Sequence, residues 1–284
     1  MAGQIAVVTD SEAYLPEGLA DQLGVVVVPL HVIINGVSGV EGTEVLPADV
    51  ARALSERRGA VRTSRALPQD FAAAFSSTVD GGAAGVVAVL MSSVLSGTYE
   101  SARLAAEECG GESVVRVVDS RSAAMGLGFA VIAAAEAARD GGSLSEVYEV
   151  AVRTAQRTTT LFYVDTLEHL RRGGRIGTAQ ALLGTALSVK PILTVADGAI
   201  VLKEKVRTAS RAMARLEALT LEAADESTVD IAVHHLAAAV KAAALADRLK
   251  EQVPGLRRLY TSEIGAAVGA HVGPGMLGAV VVRL

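Results

Sequence analysis

Hydroxyl and carboxylate side chains gather at four places where apolar runs stop: Thr9-Asp10-Ser11, Thr63-Ser64, Ser92-Ser93-Val94-Leu95-Ser96-Gly97-Thr98 and Asp119-Ser120. In an open α/β sheet ligands bind at the carboxyl ends of the strands, so these clusters are where chemistry is expected. The third is the most telling. A continuous apolar run, Gly85 to Met91, feeds a hydroxyl-rich turn, and a helical pattern follows from Tyr99 to Glu108. The free N–H groups of that helix, with the Ser96 and Thr98 hydroxyls, make a cradle for an anion. Ser96 can equally serve as no more than the N-cap of the helix. No lysine and no GxxxxGK stands there, which argues against a nucleoside triphosphate and makes a single carboxylate the better match.

Three further groups invite a chemical reading. His271 precedes the glycine-rich turn Val272-Gly273-Pro274-Gly275, which lets backbone approach a ligand closely; the residue reads either as structural or as a hydrogen-bonding group beside a ligand. Arg171, Arg172 and Arg175 form a basic knot around two glycines. Cations are favoured at a solvated helix C-terminus, and arginine also recognises phosphate bidentately; both readings stay open. Asp10-Ser11 or Asp119-Ser120 with His271 could be parts of a Ser-His-Asp hydrolase, but the chain lacks a GxSxG elbow. His234-His235 lack ligand spacing with any carboxylate and read as structural. No His, Asp and Glu cluster has metal spacing, so neither a metal nor a cofactor is expected. Cys109 reads as a small buried or half-buried thiol.

The elements that position these groups follow from periodicity. Residues 5–8, 25–28, 31–34, 85–91 and 113–118 are short apolar, β-rich runs, and helical patterns lie between them. Pro16, Pro47 and Pro68 suit first helical turns, Gly59 can close the helix that Pro47 opens, and an Ala-rich helix is expected from about Ala123 to Ala138. Phe71 and Phe75 share a helix face. Asn35-Gly36 is a turn, and Asp197-Gly198 between two apolar runs is a hairpin signal. Further strands are expected at 161–164, 229–233, 256–261 and 279–282. The reading is two α/β domains, 1–160 with a parallel sheet and 161–284 as an α/β sandwich, with an approximate boundary and segments that can interleave.

Composition narrows the function classes. The chain has 284 residues, 51% hydrophobic and 20% charged, with a mean hydropathy of +0.40, so it has ample material for a core. A net charge of -5 argues against nucleic acid as a partner. No apolar run reaches the roughly 18 residues of a transmembrane span. The opening MAGQIAVVTDSE has no basic n-region or long apolar stretch, so no leader is expected and the location expected is cytoplasmic. A single cysteine excludes an intrachain disulfide framework.

Seven segments together resemble the DegV family: VVTDS at 7–11, TSRALP at 63–68, SSVLSGTYESA at 92–102, VDSRSAAMGLG at 118–128, DTLEHLRRGGRIG at 165–177, LLGTALSVKPIL at 182–193 and HVGPGMLG at 271–278. They fall in the family's order and cover nearly the whole chain. The resemblance implies two α/β domains that clasp one long-chain fatty acid, such as palmitate, between them. It implies a non-catalytic lipid-binding protein and, as in some members of the family, a subunit that presents the acyl carboxylate to a separate fatty acid kinase. Carried over by motif, the carboxylate contacts fall on Thr63 and Ser96, with Gly97 and His271 beside them. Arg175 of GGRI, its neighbour Arg172 and Arg207 fall on the partner- or phosphate-facing side. The chain departs from the family at Thr63-Ser64-Arg65-Ala66-Leu67, where TSQPS is frequent, and Arg65 adds charge beside the pocket mouth.

Physical chemistry is compatible with that implication. An acyl chain gains on the order of 0.8 kcal/mol per buried CH2, so an apolar tunnel can supply most of the affinity and neutral hydroxyls suffice for the head group. Abundant Ala, Gly, Val and Leu with 3% aromatics leave room for a tunnel, although Ala-rich helices also pack closely without one. The competing reading is a serine hydrolase or another small-molecule enzyme using Ser96 and His271.

Overall fold

The computed structural model describes residues 3–56, 59–182 and 190–284. The chain divides into two compact units, one made of residues 1–31 and 64–156, the other of 32–63 and 157–284. The two are interleaved: the segment 32–63 leaves the first unit's sequence to join the second.

The first unit is built on β1 (Ile5–Asp10), α1 (Leu19–Leu23) and β2 (Val26–Val28). The chain then supplies β3 (His31–Ile34), β4 (Val37–Val40), α2 (Pro47–Ser55) and β5 (Val61–Ser64). It returns with α3 (Pro68–Asp80), β6 (Gly85–Leu90), α4 (Thr98–Glu108), β7 (Val115–Asp119), α5 (Met125–Arg139) and α6 (Leu144–Gln156). Its sheet has the order β2-β1-β6-β7, parallel throughout. All six residues of β6 are buried, as an unbroken apolar run in a parallel sheet demands. α3 packs on α4 and α5 on α6, and both pairs touch the sheet. Phe71 and Phe75, fully buried, stack from one face of α3 with ring centroids 5.9 Å apart.

In the second unit β8 (Thr158–Tyr163), α7 (Glu168–Arg172), β9 (Lys190–Ala196) and β10 (Ala199–Val206) come first. Then come α8 (Ala209–Ala224), β11 (Val229–His235), α9 (Ala239–Gln252), β12 (Leu256–Glu263), α10 (Ala266–Val272) and β13 (Leu277–Arg283). The mixed sheet has the order β10-β9-β8-β13-β11-β12, and β4-β3-β5 form a smaller one. Tyr163, Ile192 and Ile231 of the sheet share its core with Leu216 of α8 and Leu245 of α9. The chain's final strand, β13, lies between β8 and β11, antiparallel to both.

Turn chemistry agrees with the sequence. Asn35-Gly36 (φ 52° and 88°) and Asp197-Gly198 (φ 51° and 80°) hold both central residues in the left-handed region, the two-residue hairpin geometry that matches strand twist. Pro47 and Pro68 open α2 and α3. Pro16 does not open a helix: its carbonyl accepts from Leu19 N–H at 3.0 Å in a turn, and α1 starts only after Gly18. Gly59 lies beyond the end of α2, whose C-cap is Glu56. The segment 32–63 is tied to its unit by packing of α2 on α10 and by Glu41, buried, whose Oε1 accepts from the Ala267 N–H at 2.7 Å. That carboxylate satisfies an amide in the first turn of α10, an end where anions are favoured. Among the described residues no helix is long and apolar enough to cross a membrane.

Candidate functional site

The strand ends of the first unit carry the polar clusters as anticipated, yet most of their groups are engaged with the chain itself. Asp10 is fully buried, and its carboxylate accepts from Glu12 N–H at 3.0 Å and Met91 N–H at 3.1 Å, tying the end of β1 to the end of β6. Thr9 Oγ1 donates to Val89 O at 2.8 Å, and Ser11 Oγ accepts from Leu30 N–H at 3.1 Å. Asp119 does for β7 what Asp10 does for β1: it accepts from Ser93 N–H (3.2 Å), Ser93 Oγ (2.6 Å) and Arg121 N–H (2.9 Å). These two carboxylates are loop staples. Asp10 holds two buried loop amides and Asp119 holds exposed ones, a need that periodicity does not reveal.

Ser96 and Gly97 lie in the loop so fixed. Ser96 N–H donates to Ser92 O at 3.0 Å. Its half-buried hydroxyl lies 2.9 Å from Thr98 Oγ1 and accepts from Thr98 N–H at a long 3.3 Å. The N-cap of α4 is Gly97, which offers no side chain, so Ser96 is one residue too early to be the cap. The Arg65 side chain lies flat against Gly97: a Cβ there would stand 2.8 Å from Arg65 Nη1 and 2.9 Å from its Cδ.

In the second unit the structure joins two residues that are remote in sequence. Thr63, at the end of β5, and His271, in the last turn of α10, are hydrogen-bonded, Thr63 Oγ1 to His271 Nε2 at 3.1 Å. His271 Nδ1 is buried and has no hydrogen-bond partner among the described residues. Burial first, and then the nearby Arg175 cation, push the His271 pKa down to about 4, so the ring is neutral at pH 7.

Glycines let this ring fit. A side chain at Gly173 would run into the His271 imidazole, one at Gly273 into the His169 ring, and one at Gly275 into the Asp165 carboxylate. The segments 165–177 and 271–278 therefore interlock through their glycines, and the space beside Gly273 and Gly275 holds side chains of the chain itself, where the sequence suggested a ligand. Gly273 and Gly275 also need glycine for their backbone, with φ of 76° and 85°.

Thr63 and His271 line a cavity of about 560 Å³ with Arg62, His169, Arg172 and Arg175 among its walls. The basic knot is partly neutralised: Glu168 receives Arg171 at 2.6 and 2.8 Å and Arg172 at 2.7 Å, which pulls its carboxyl down to about 2. Arg175 donates to Gly173 O at 2.6 Å. Arg207 is exposed in the connection between β10 and α8. Of the motif at 182–193, residues 183–189 lie outside the described residues. Among the described residues no group of His, Cys, Asp and Glu could hold a metal ion.

Comparison with known proteins supplies the family. A family model described as an uncharacterised protein of the DegV family matches residues 4–284. The DegV domain-containing protein SCO2569 of Streptomyces coelicolor is 50% identical over 281 residues, 99% of each chain. A fatty-acid-binding DegV family protein from Thermus thermophilus superposes with a TM-score of 0.93 at 34% identity, covering 99% of this chain and 100% of that one. The Bacillus subtilis DegV, described as a fatty acid binding protein, gives 0.88 at 30% identity with the same coverage. With a family match from end to end and half its residues shared with a full-length relative, the chain belongs to the DegV family.

Proposed function

We propose that this protein is a non-catalytic, cytoplasmic carrier that binds a long-chain fatty acid, shelters its acyl chain in an apolar tunnel and holds its carboxylate with hydroxyl groups. The observation that carries the reading is the Thr63–His271 pair on the wall of an arginine-lined cavity, in a chain whose structural relatives at 34% and 30% identity are described as fatty-acid-binding. A carboxylate only accepts hydrogen bonds. For Thr63 to donate to it, the Thr63 hydroxyl must accept from His271, so the ligand selects the tautomer with hydrogen on Nε2. Nδ1 is then a bare acceptor, consistent with its lack of a partner among the described residues. The low pKa of His271 keeps the ring in this neutral relay state.

In the first unit, Ser96 and the backbone of Gly97 are the donors that this reading assigns to a fatty acid carboxylate. Arg172, Arg175 and Arg207 face a fatty acid kinase partner and the phosphate it transfers, and the bound acid is presented for acyl phosphate formation. A serine hydrolase is the weaker reading. A triad histidine needs a carboxylate on its second ring nitrogen, and among the described residues nothing bonds His271 Nδ1.

Protein purified natively and extracted is expected to release one equivalent of long-chain fatty acid, identified by mass spectrometry. Thr63→Val and Ser96→Ala each remove one hydrogen bond to a charged group, so palmitate affinity should fall about ten- to a hundredfold. An empty wild-type protein that also ignores added palmitate would falsify the carrier reading.

A further inference from the structure

Arg65 carries an exposed guanidinium. It lies against Gly97, where a Cβ would come within 2.8 Å of its Nη1, and Gly97 adjoins Ser96, whose hydroxyl faces the first residue of α4. Among the described residues no carboxylate comes within ion-pair distance of it. Glu100, an acid that feels its charge, is already bound in bidentate fashion by Arg103, at 2.8 and 3.0 Å. The remaining donors of this loop, the Ser96 and Thr98 hydroxyls, are neutral. A hydroxyl set separates a carboxylate from a primary alcohol only through the strength of its hydrogen bonds; a cation beside it adds a direct difference in charge.

We infer that Arg65 is a specificity-determining residue that makes the head-group site select an ionised carboxylate over an uncharged lipid of equal length. The inference rests on the fatty-acid reading above and adds the chemical class that the site rejects: fatty alcohols, and neutral acyl lipids by the same argument. It also explains why residue 97 is glycine, since a larger residue would lift the guanidinium away from Ser96.

The test measures affinities for palmitate and for hexadecanol in the wild type, Arg65→Gln and Arg65→Lys, at low salt and at about 0.5 M salt. The acid-to-alcohol affinity ratio, taken within one protein, cancels any general effect of the substitution on folding or on the acyl site. The ratio should fall roughly fivefold or more in Arg65→Gln at low salt. It should stay near the wild-type value in Arg65→Lys, and the difference between wild type and Arg65→Gln should shrink in high salt as the charge is screened. An unchanged ratio in Arg65→Gln, or an equal loss in Arg65→Lys, overturns the inference while leaving fatty-acid binding intact. Failure of the wild type to bind palmitate at all is a different result, and it removes the underlying reading.

Discussion

Two polar regions of this protein use the same residue types to opposite ends. At the strand ends of the first unit Asp10 and Asp119 spend their oxygens on backbone amides and the Ser93 hydroxyl. On the cavity wall of the second, His271 keeps one nitrogen buried and, among the described residues, without a partner, in a cavity that Arg62, Arg172 and Arg175 also line. A buried polar group that is satisfied by the chain works for the fold. One that is left short is where a ligand has something to gain. Polarity at the end of a strand does not distinguish the two; the hydrogen-bond count does.

The comparison breaks most visibly at Asp10. Asp10→Ala strands two buried amides, Glu12 and Met91, and should cost about 3 kcal/mol or more. Urea unfolding together with hydrogen exchange at those two amides measures it, and a loss under about 1 kcal/mol would mean that the carboxylate is not a staple.

Gly173→Ala attacks the other side. Its new methyl group has no room beside the His271 ring, so the imidazole must move and the Thr63 bond must stretch or break. Palmitate affinity should fall about tenfold, as for a lost hydrogen bond to a charged group, with a stability loss of roughly 1–2 kcal/mol from the displaced ring. Full affinity in this variant would separate Thr63 from any dependence on His271.

The smallest effect is a slope. His271 and the fully buried His234 are both held near a pKa of 4, chiefly by burial, against about 6.5 in an unfolded chain. Between those values the unfolded chain binds protons that the folded one refuses, so stability is full above about pH 6.5 and falls as the pH drops toward 4. Each histidine contributes at most about 1.4 kcal/mol per pH unit, and the half-buried His271 less than His234. Denaturation midpoints for wild type and His271→Asn at pH 4.5, 5.5 and 7 should show a shallower slope in the variant; identical slopes would mean that His271 already titrates near its ordinary value.

Local features of the fold are legible in the residues. The uninterrupted Gly85–Met91 run becomes the buried centre of a parallel sheet, and Asp197-Gly198 becomes the hairpin it resembles, because neighbours in sequence decide both. Placement of the last strand between β8 and β11 depends on pairing with residues far away in the chain, as does the departure of residues 32–63 to the second unit. The candidate site is split in the same way. Thr63 and His271 each stand out by type and motif, but their bond spans 208 positions. The stacking of Arg65 on Gly97 has no signature short of three dimensions.

The excursion of residues 32–63 also sets an order of events at the ribosome. Everything in the first unit has been synthesised by residue 156, so that unit can close while translation continues. The early segment must meanwhile wait with its partners unmade: Glu41 meets its amide only when Ala267 emerges, 226 residues later. Long-range closures of this kind are slow and leave apolar surface exposed in the interval. The nascent chain therefore carries α2 and the small β4-β3-β5 sheet without their α10 partner through most of its own synthesis, and this stretch is where a chaperone has the longest opportunity to bind.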